Sequence, residues 1–380
     1  MKNFSPLLFL ASLGAGGIAV LPFSFLNYTF PHGKGLIEIG QMPYGQLAIW
    51  QEVLFRSLEG VMILFIALHI ILSLLFAAQL FRWMSGIDYK SFMADPLKNA
   101  GILSPFISLV MTMNVMVGPL RYFIPQMAHN LQSLMMPALV FWLLVGFFLM
   151  RMEIKLLKIS FEKSFDVNKI HFGWLLHPFA LGMYTVTGTG IAALSTNGPI
   201  AHTAAFVSFV FGSMGLFLLI VKMVAIFKSH FAQSGLPERQ FLPSFLIVIP
   251  NITLYAISLF RIGHYFENHF DAHLHLYFIA VVTIAFAFET WYMLFGLSLL
   301  LDYFRNHFSK EYYPSQWGLV CPVVAYAVLG EFVYNLFVQS EALYILIIIT
   351  LIVSVVLFFS LLLKHMKCAG MAGGHHVDCE

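Results

Sequence analysis

The sequence predicts an all-α integral membrane protein of about ten transmembrane helices, paired as five helical hairpins, with the odd-numbered helices forming an inner ring around a central pore. Three observations predict it: the composition, the recurrence of apolar stretches of membrane length, and an alternation of proline between successive stretches. Hydrophobic residues make up 60% of the 380 and charged residues 10%, and the mean hydropathy is +0.85, so a bilayer is the solvent for most of the chain.

Spans are expected at 6–25, 54–81, 102–124, 131–150, 172–194, 204–227, 241–262, 274–301, 317–338 and 343–363. Each holds about 20 residues, enough to cross about 30 Å of hydrocarbon as a helix. The first reads as a retained helix, because only Lys2 precedes it and no small-residue cleavage site follows. Residues 1–366 then form one transmembrane domain, and 367–380 a flexible cytoplasmic tail loosened by Gly370, Gly373 and Gly374.

Placing the N-terminus inside gathers Arg82, Lys90 and Lys98, then Arg151, Lys155, Lys158, Lys163 and Lys169, on one side. Lys222, Lys228, Arg239, Arg305, Lys310, Lys364 and Lys367 join them. Only Lys34, Arg121 and Arg261 fall near the other face, with Arg56 early in the second span. The positive-inside rule then puts both termini in the cytoplasm, as expected of a multi-pass protein of a bacterial inner membrane.

The first span carries Pro6, Pro22, Ser12, Gly14, Gly16 and Gly17. In the third lie Pro105, Pro119, Ser104, Ser108, Thr112, Asn114 and Gly118, and in the fifth Pro178, Gly182, Tyr184, Thr185, Thr187, Gly188, Thr189 and Gly190. The seventh has Pro243, Pro250, Asn251, Thr253 and Ser258, and the ninth Cys321 and Pro322. Among the even spans only the fourth has an interior proline, Pro137, while the tenth is Ile, Leu, Val and Phe almost throughout and suits lipid. Proline kinks a helix and frees carbonyls, which membranes tolerate where they meet protein or water. For any one small or hydroxyl residue, ordinary helix packing is the commoner role. It is their co-occurrence in alternate spans that points to a path.

The residues expected to line that path are Ser12, Gly14, Pro105, Thr112, Asn114, Pro178, Thr185, Thr189, Pro250, Asn251, Thr253, Cys321 and Pro322. No lysine or arginine falls mid-span, so hydroxyls, amides and helix-break dipoles are expected to hold a small anion weakly enough to release it. No nucleotide-binding loop, zinc-peptidase helix or nucleophile elbow is present, and no basic patch suits nucleic acid. Neither an enzyme nor a cofactor is expected. Cys321 lies in a span and Cys368 and Cys379 in the tail, which implies no disulfide framework.

Leu236-Pro237 followed by Pro243, Ile249-Pro250 and Ser258, with span number and spacing along the whole chain, resembles the tellurite-resistance/dicarboxylate transporter family. That family includes plant guard-cell slow anion channels, the bacterial tellurite-resistance membrane protein and fungal malate and sulfite carriers. Weaker echoes are Phe92, Asp95 and Pro96, the glycines Gly14, Gly16 and Gly17, and Trp317 with Pro322. The resemblance implies a homotrimer with an anion pore through each subunit, and a phenylalanine plug immediately before the ninth-helix proline. Cys321 stands at that position here, so Cys321, Phe106 and Tyr326 are the candidate gates.

Ionisable residues within spans usually mark function or pair with one another. They are Glu59, His69, His177, Glu289 and Glu331. Glu289 is a candidate proton relay for a coupled carrier, or else a hydrogen-bonded carboxyl joining spans two and eight; His69 is expected to bridge helices. His264, His269, His273 and His275, with Glu267 and Asp271, are candidate metal ligands in a loop, and His365, Met366, Cys368, Met371, His375, His376 and Cys379 in the tail. Two functions follow: transport of small anions by channel or carrier, or a membrane redox or metal-handling protein, for which His69 and His177 would have to face one another to bind haem.

Overall fold

The computed structural model describes residues 4–33, 35–166, 169–232 and 235–370, and the backbone of 378–379. Lys2, Lys34, Met371, His375 and His376 lie outside the described residues, as does the side chain of Cys379. Ten long helices follow one another: α1 (Phe9–Thr29), α2 (Ile49–Met84), α3 (Ser104–Val115), α4 (Leu131–Glu162), α5 (Leu176–Leu194), α6 (Gly198–Ala232), α7 (Val248–Phe270), α8 (His275–Leu299), α9 (Val320–Leu336) and α10 (Glu341–Cys368). With their lead-in turns, nine of these described segments are long and apolar enough to cross a membrane. The exception is α5, whose threonines, glycines and histidine lower its apolarity, and whose residues are buried without a break from Leu176 to Thr189.

Helices α1, α3, α5, α7 and α9 close into a ring, each touching the next and α9 returning to α1. Each is backed by the helix that follows it in sequence, α2, α4, α6, α8 and α10. The joints between the two layers are made by missing side chains. A β-carbon on Gly188 would strike Trp142 and Ser208, one on Gly146 the Tyr184 ring, and one on Gly215 the Tyr255 hydroxyl. Trp142 uses the space to stack on Tyr184, with ring centroids 4.3 Å apart, and its Nε1 donates to the Tyr184 carbonyl at 3.0 Å. Between apolar helices in lipid, such close packing is the main attraction available.

All five inner helices are entered through a 3₁₀ run: Pro6–Leu8, Asn99–Leu103, Phe172–Leu175, Arg239–Ile247 and Pro314–Leu319. Pro105, Pro178, Pro250 and Pro322 then fall within the first three residues of the α-helix proper. The expectation of interior kinks is corrected by this arrangement. A missing N–H is harmless in a first turn, whose donors have no partner within the helix, and the fixed φ suits the change from 3₁₀ to α winding. Of the inner-ring prolines, Pro22 alone sits deep in an α-helix, while Pro119 lies in the π turn Met116–Leu120 and Pro243 within a 3₁₀ run.

Two features involve the described part of the tail. Cys368 is disulfide-bonded, and Asp378–Cys379 pairs in parallel with Glu311–Tyr312.

Candidate functional site

A cavity of about 970 Å³ occupies the centre of the ring and opens at the face opposite the start of α1, where Gln41 and Thr196 are exposed. Every inner helix contributes to its wall. The residue nearest the N-terminal face is Leu13 on α1, Met111 on α3, Phe179 on α5, Pro250 on α7 and Cys321 on α9. These five make its floor. On the side of the floor toward the N-terminal face lie the 3₁₀ entries, with Leu103, Leu175, Leu246 and Trp317 buried.

Gly14, Asn114, Pro250, Thr253 and Cys321 line the cavity. The other expected lining residues do not, and most have other partners. Ser12 meets Ser108 at 2.5 Å, and His69 joins the Ser12 carbonyl (2.7 Å) to Thr112 (2.9 Å), so these groups lace α1, α2 and α3 together. Thr185 and Thr189 donate to carbonyls of their own helix, and Asn251 donates to the Ile247 carbonyl. Pro105, Pro178 and Pro322 stand at the helix entries. In the wall itself, Asn114 donates to Thr187 at 2.9 Å, fixing α3 against α5.

Two arginines that the span pattern placed merely near a membrane face also line the cavity, Arg121 and Arg261. Arg121 is buried and donates to the carbonyls of Val117, Leu36 and Ile37. Arg261 donates from Nη1 to the Val186 carbonyl at 2.7 Å and lies across Gly190, where a β-carbon would stand 3.1 Å from Nη1. Neither forms an ion pair with a carboxylate among the described residues. Both therefore join the wall from near the membrane face that the span pattern gave them, and no lysine or arginine lines its middle. The signal was readable, since burying an arginine in a span without a purpose is costly.

Two carboxyls stand just behind the wall. Glu289 accepts from the cavity-lining Thr253 at 2.6 Å, which joins α7 to α8 rather than spans two and eight. Glu331, fully buried, precedes the cavity-lining Phe332. Farther out, Glu59 accepts from Tyr122 at 2.6 Å, and on the N-terminal side of the ring His177 pairs with Glu153 at 2.6 Å. His69 and His177 are thus engaged in separate helix contacts and do not face one another.

A sequence profile described as voltage-dependent anion channel, SLAC1, matches residues 3–366, and no curated protein matches the chain. The chain belongs to the SLAC1 voltage-dependent anion channel family. The SLAC1 family moves anions across membranes, and this member is a multi-pass integral membrane protein with two arginines in its cavity wall.

Of the candidate gates in this SLAC1-family protein, Cys321 is on the cavity floor. Tyr326 points away from the cavity, stacked on Phe286 with centroids 4.8 Å apart and 3.1 Å from the Thr290 hydroxyl on α8. Phe106 lies five residues before Met111 and is not part of the wall. The aromatic on the floor is Phe179, signalled in the sequence only by its position after Pro178. As for metals, no group of three or more ligating side chains converges among the described residues. His264 is paired with Glu267 at 3.1 Å, His269 lies 3.2 Å from the Ser195 carbonyl, and His273 and His275 stand outside the cavity wall. In the tail, the disulfide removes the Cys368 thiolate, and His365 bonds Tyr312 at 2.8 Å.

Proposed function

We propose that the protein passes small, singly or weakly charged anions across the membrane through the central cavity, with Gly14, Asn114, Pro250, Thr253 and Cys321 in the path and Phe179 at its narrow floor. The observation that carries this reading is the pair Arg121 and Arg261, which line the cavity and form no ion pair among the described residues, Glu38 at the mouth being the one carboxylate in the lining and already paired with His129. An unpaired buried charge costs several kcal/mol in order of magnitude, and a mobile anion removes that cost. Both guanidinium groups already give hydrogen bonds to backbone carbonyls, so their hold on an anion is partial and release stays possible.

A proton relay at Glu289 belongs to the same reading, because the carboxyl is one hydroxyl removed from the path at Thr253. So do cytoplasmic termini, supported by the distribution of lysine and arginine, and a trimer, supported by family resemblance. The test is flux from proteoliposomes loaded with chloride, nitrate, sulfite or malate, with and without a proton gradient. Chloride and nitrate are expected to leave faster than from empty liposomes, ahead of doubly charged malate. Rates equal to protein-free vesicles for all four anions would contradict the proposal.

A further inference from the structure

The mouth of the cavity is unusually rich in imidazole. His32, His129, His264 and His269 all line it, together with one carboxylate, Glu38. Two of these histidines are paired with acids: His129 Nε2 lies 3.3 Å from Glu38, and His264 Nδ1 lies 3.1 Å from Glu267. Water reaches both pairs, since the His129 side chain is 67% exposed and that of His264 41%. His32 is 2.8 Å from the Asn27 carbonyl, and His269 sits beside His202, with rings 5.4 Å apart. The other charged or titratable groups by this mouth are Arg121, Arg261 with Tyr28 and Glu331 beside it, and Tyr265 bonded to His202; Asp271, His273 and His275 follow just beyond α7, outside the wall.

We propose that this mouth is a proton-charged capture site for small anions, repelling them when its imidazoles are neutral and drawing them in when the imidazoles are protonated. The inference rests on the reading of the cavity as an anion path and adds its regulation. With neutral imidazoles, Glu38 and Glu267 place negative charge at the entrance, ahead of the arginines. Protonation of His129 and His264 cancels both carboxylates, and protonation of His32 and His269 adds positive charge. Imidazoles make this change between about pH 5 and pH 8. A cleft with low-dielectric walls focuses such a field, and a change of sign alters local ion concentration and entry rate by about tenfold or more.

The experiment uses the full-length protein in liposomes, with chloride flux read at a clamped potential and pH varied on one face at a time. Sidedness is assigned by access to a C-terminal tag. Lowering pH from 8 to 5.5 on the face away from the termini is expected to raise chloride flux about tenfold, and the same change on the other face to leave it unaltered. The His129→Gln, His264→Gln double variant brings the pH 5.5 to pH 8 ratio toward one. Glu38→Gln with Glu267→Gln raises flux at pH 8 and shrinks the ratio from the other end, a second readout should the histidine variant fail to fold. Chloride flux that is present but independent of pH, or a full ratio retained in both double variants, overturns the capture site while leaving the anion path standing. No anion flux at any pH overturns both.

Discussion

The apolar stretches of inner helices α1, α3, α7 and α9 are 56–89% buried, and those of the five outer helices 22–39%, yet the outer set is on average the more apolar. In a water-soluble protein the order would be reversed. Here lipid takes the place of water as the exterior solvent, so the surface of the outer helices is as apolar as a core, and polarity collects where protein surrounds it. Helix α5, buried without a break from Leu176 to Thr189, is also the one whose composition would least suit contact with lipid. The inner ring can therefore carry Arg121, Arg261, Asn114 and Thr253 around a cavity, while α10 presents Ile349, Ile352 and Val356 outward.

The largest effect is expected where the inner ring holds its charge. Arg261→Gln removes one charge-assisted contact to the anion, worth about 1.5–3 kcal/mol, and should lower chloride flux ten- to a hundredfold in proteoliposomes. Unchanged flux would mean that the inward-facing arginine is only a packing group. At the joint between the rings, Gly188→Val forces a side chain into Trp142 and Ser208 and should destabilise the protein by about 1–3 kcal/mol, seen as a lower melting temperature in detergent. Cys321→Phe places a ring on the cavity floor and should reduce chloride flux several-fold; equal flux would put Cys321 outside the narrow point.

A smaller effect is expected at the entry to α5. His171 accepts from the Gly173 N–H, stacks on Phe241 at 3.9 Å, and is pushed down to about 4 chiefly by burial. The unfolded chain binds this proton near the ordinary imidazole value and the folded chain does not, so stability should fall as pH drops from about 6.5 toward 4. His171→Asn keeps a capping acceptor and should flatten that part of the melting-temperature profile. The smallest effect is expected on the lipid face: Leu74→Ala, at a side chain 67% exposed on α2, should stay within about 0.5 kcal/mol of the parent and leave flux unaltered.

The ring order was legible because proline and small residues recur in alternate spans, a pattern that survives errors in span boundaries. Which of those residues face the cavity was not. Ser12, Thr112, Thr185 and Thr189 have the same chemistry as Asn114 and Thr253, and only the rotation of each helix decides whether a hydroxyl meets the cavity, a neighbouring helix or its own carbonyl. The arginines were missed for a related reason. Arg121 and Arg261 look like flanking charges in a linear count, but the π turn at Met116–Leu120 and the length of α7 bring them into the wall.

Central to the account is that a mobile anion, rather than an ion-paired carboxylate, balances the guanidinium groups of Arg121 and Arg261. Crystals grown in bromide and measured at the bromine edge test this directly. The account predicts an anomalous peak inside the cavity beside one or both guanidinium groups, lost in Arg261→Gln. A cavity without bromide, with the anomalous signal confined to the protein surface, would contradict it.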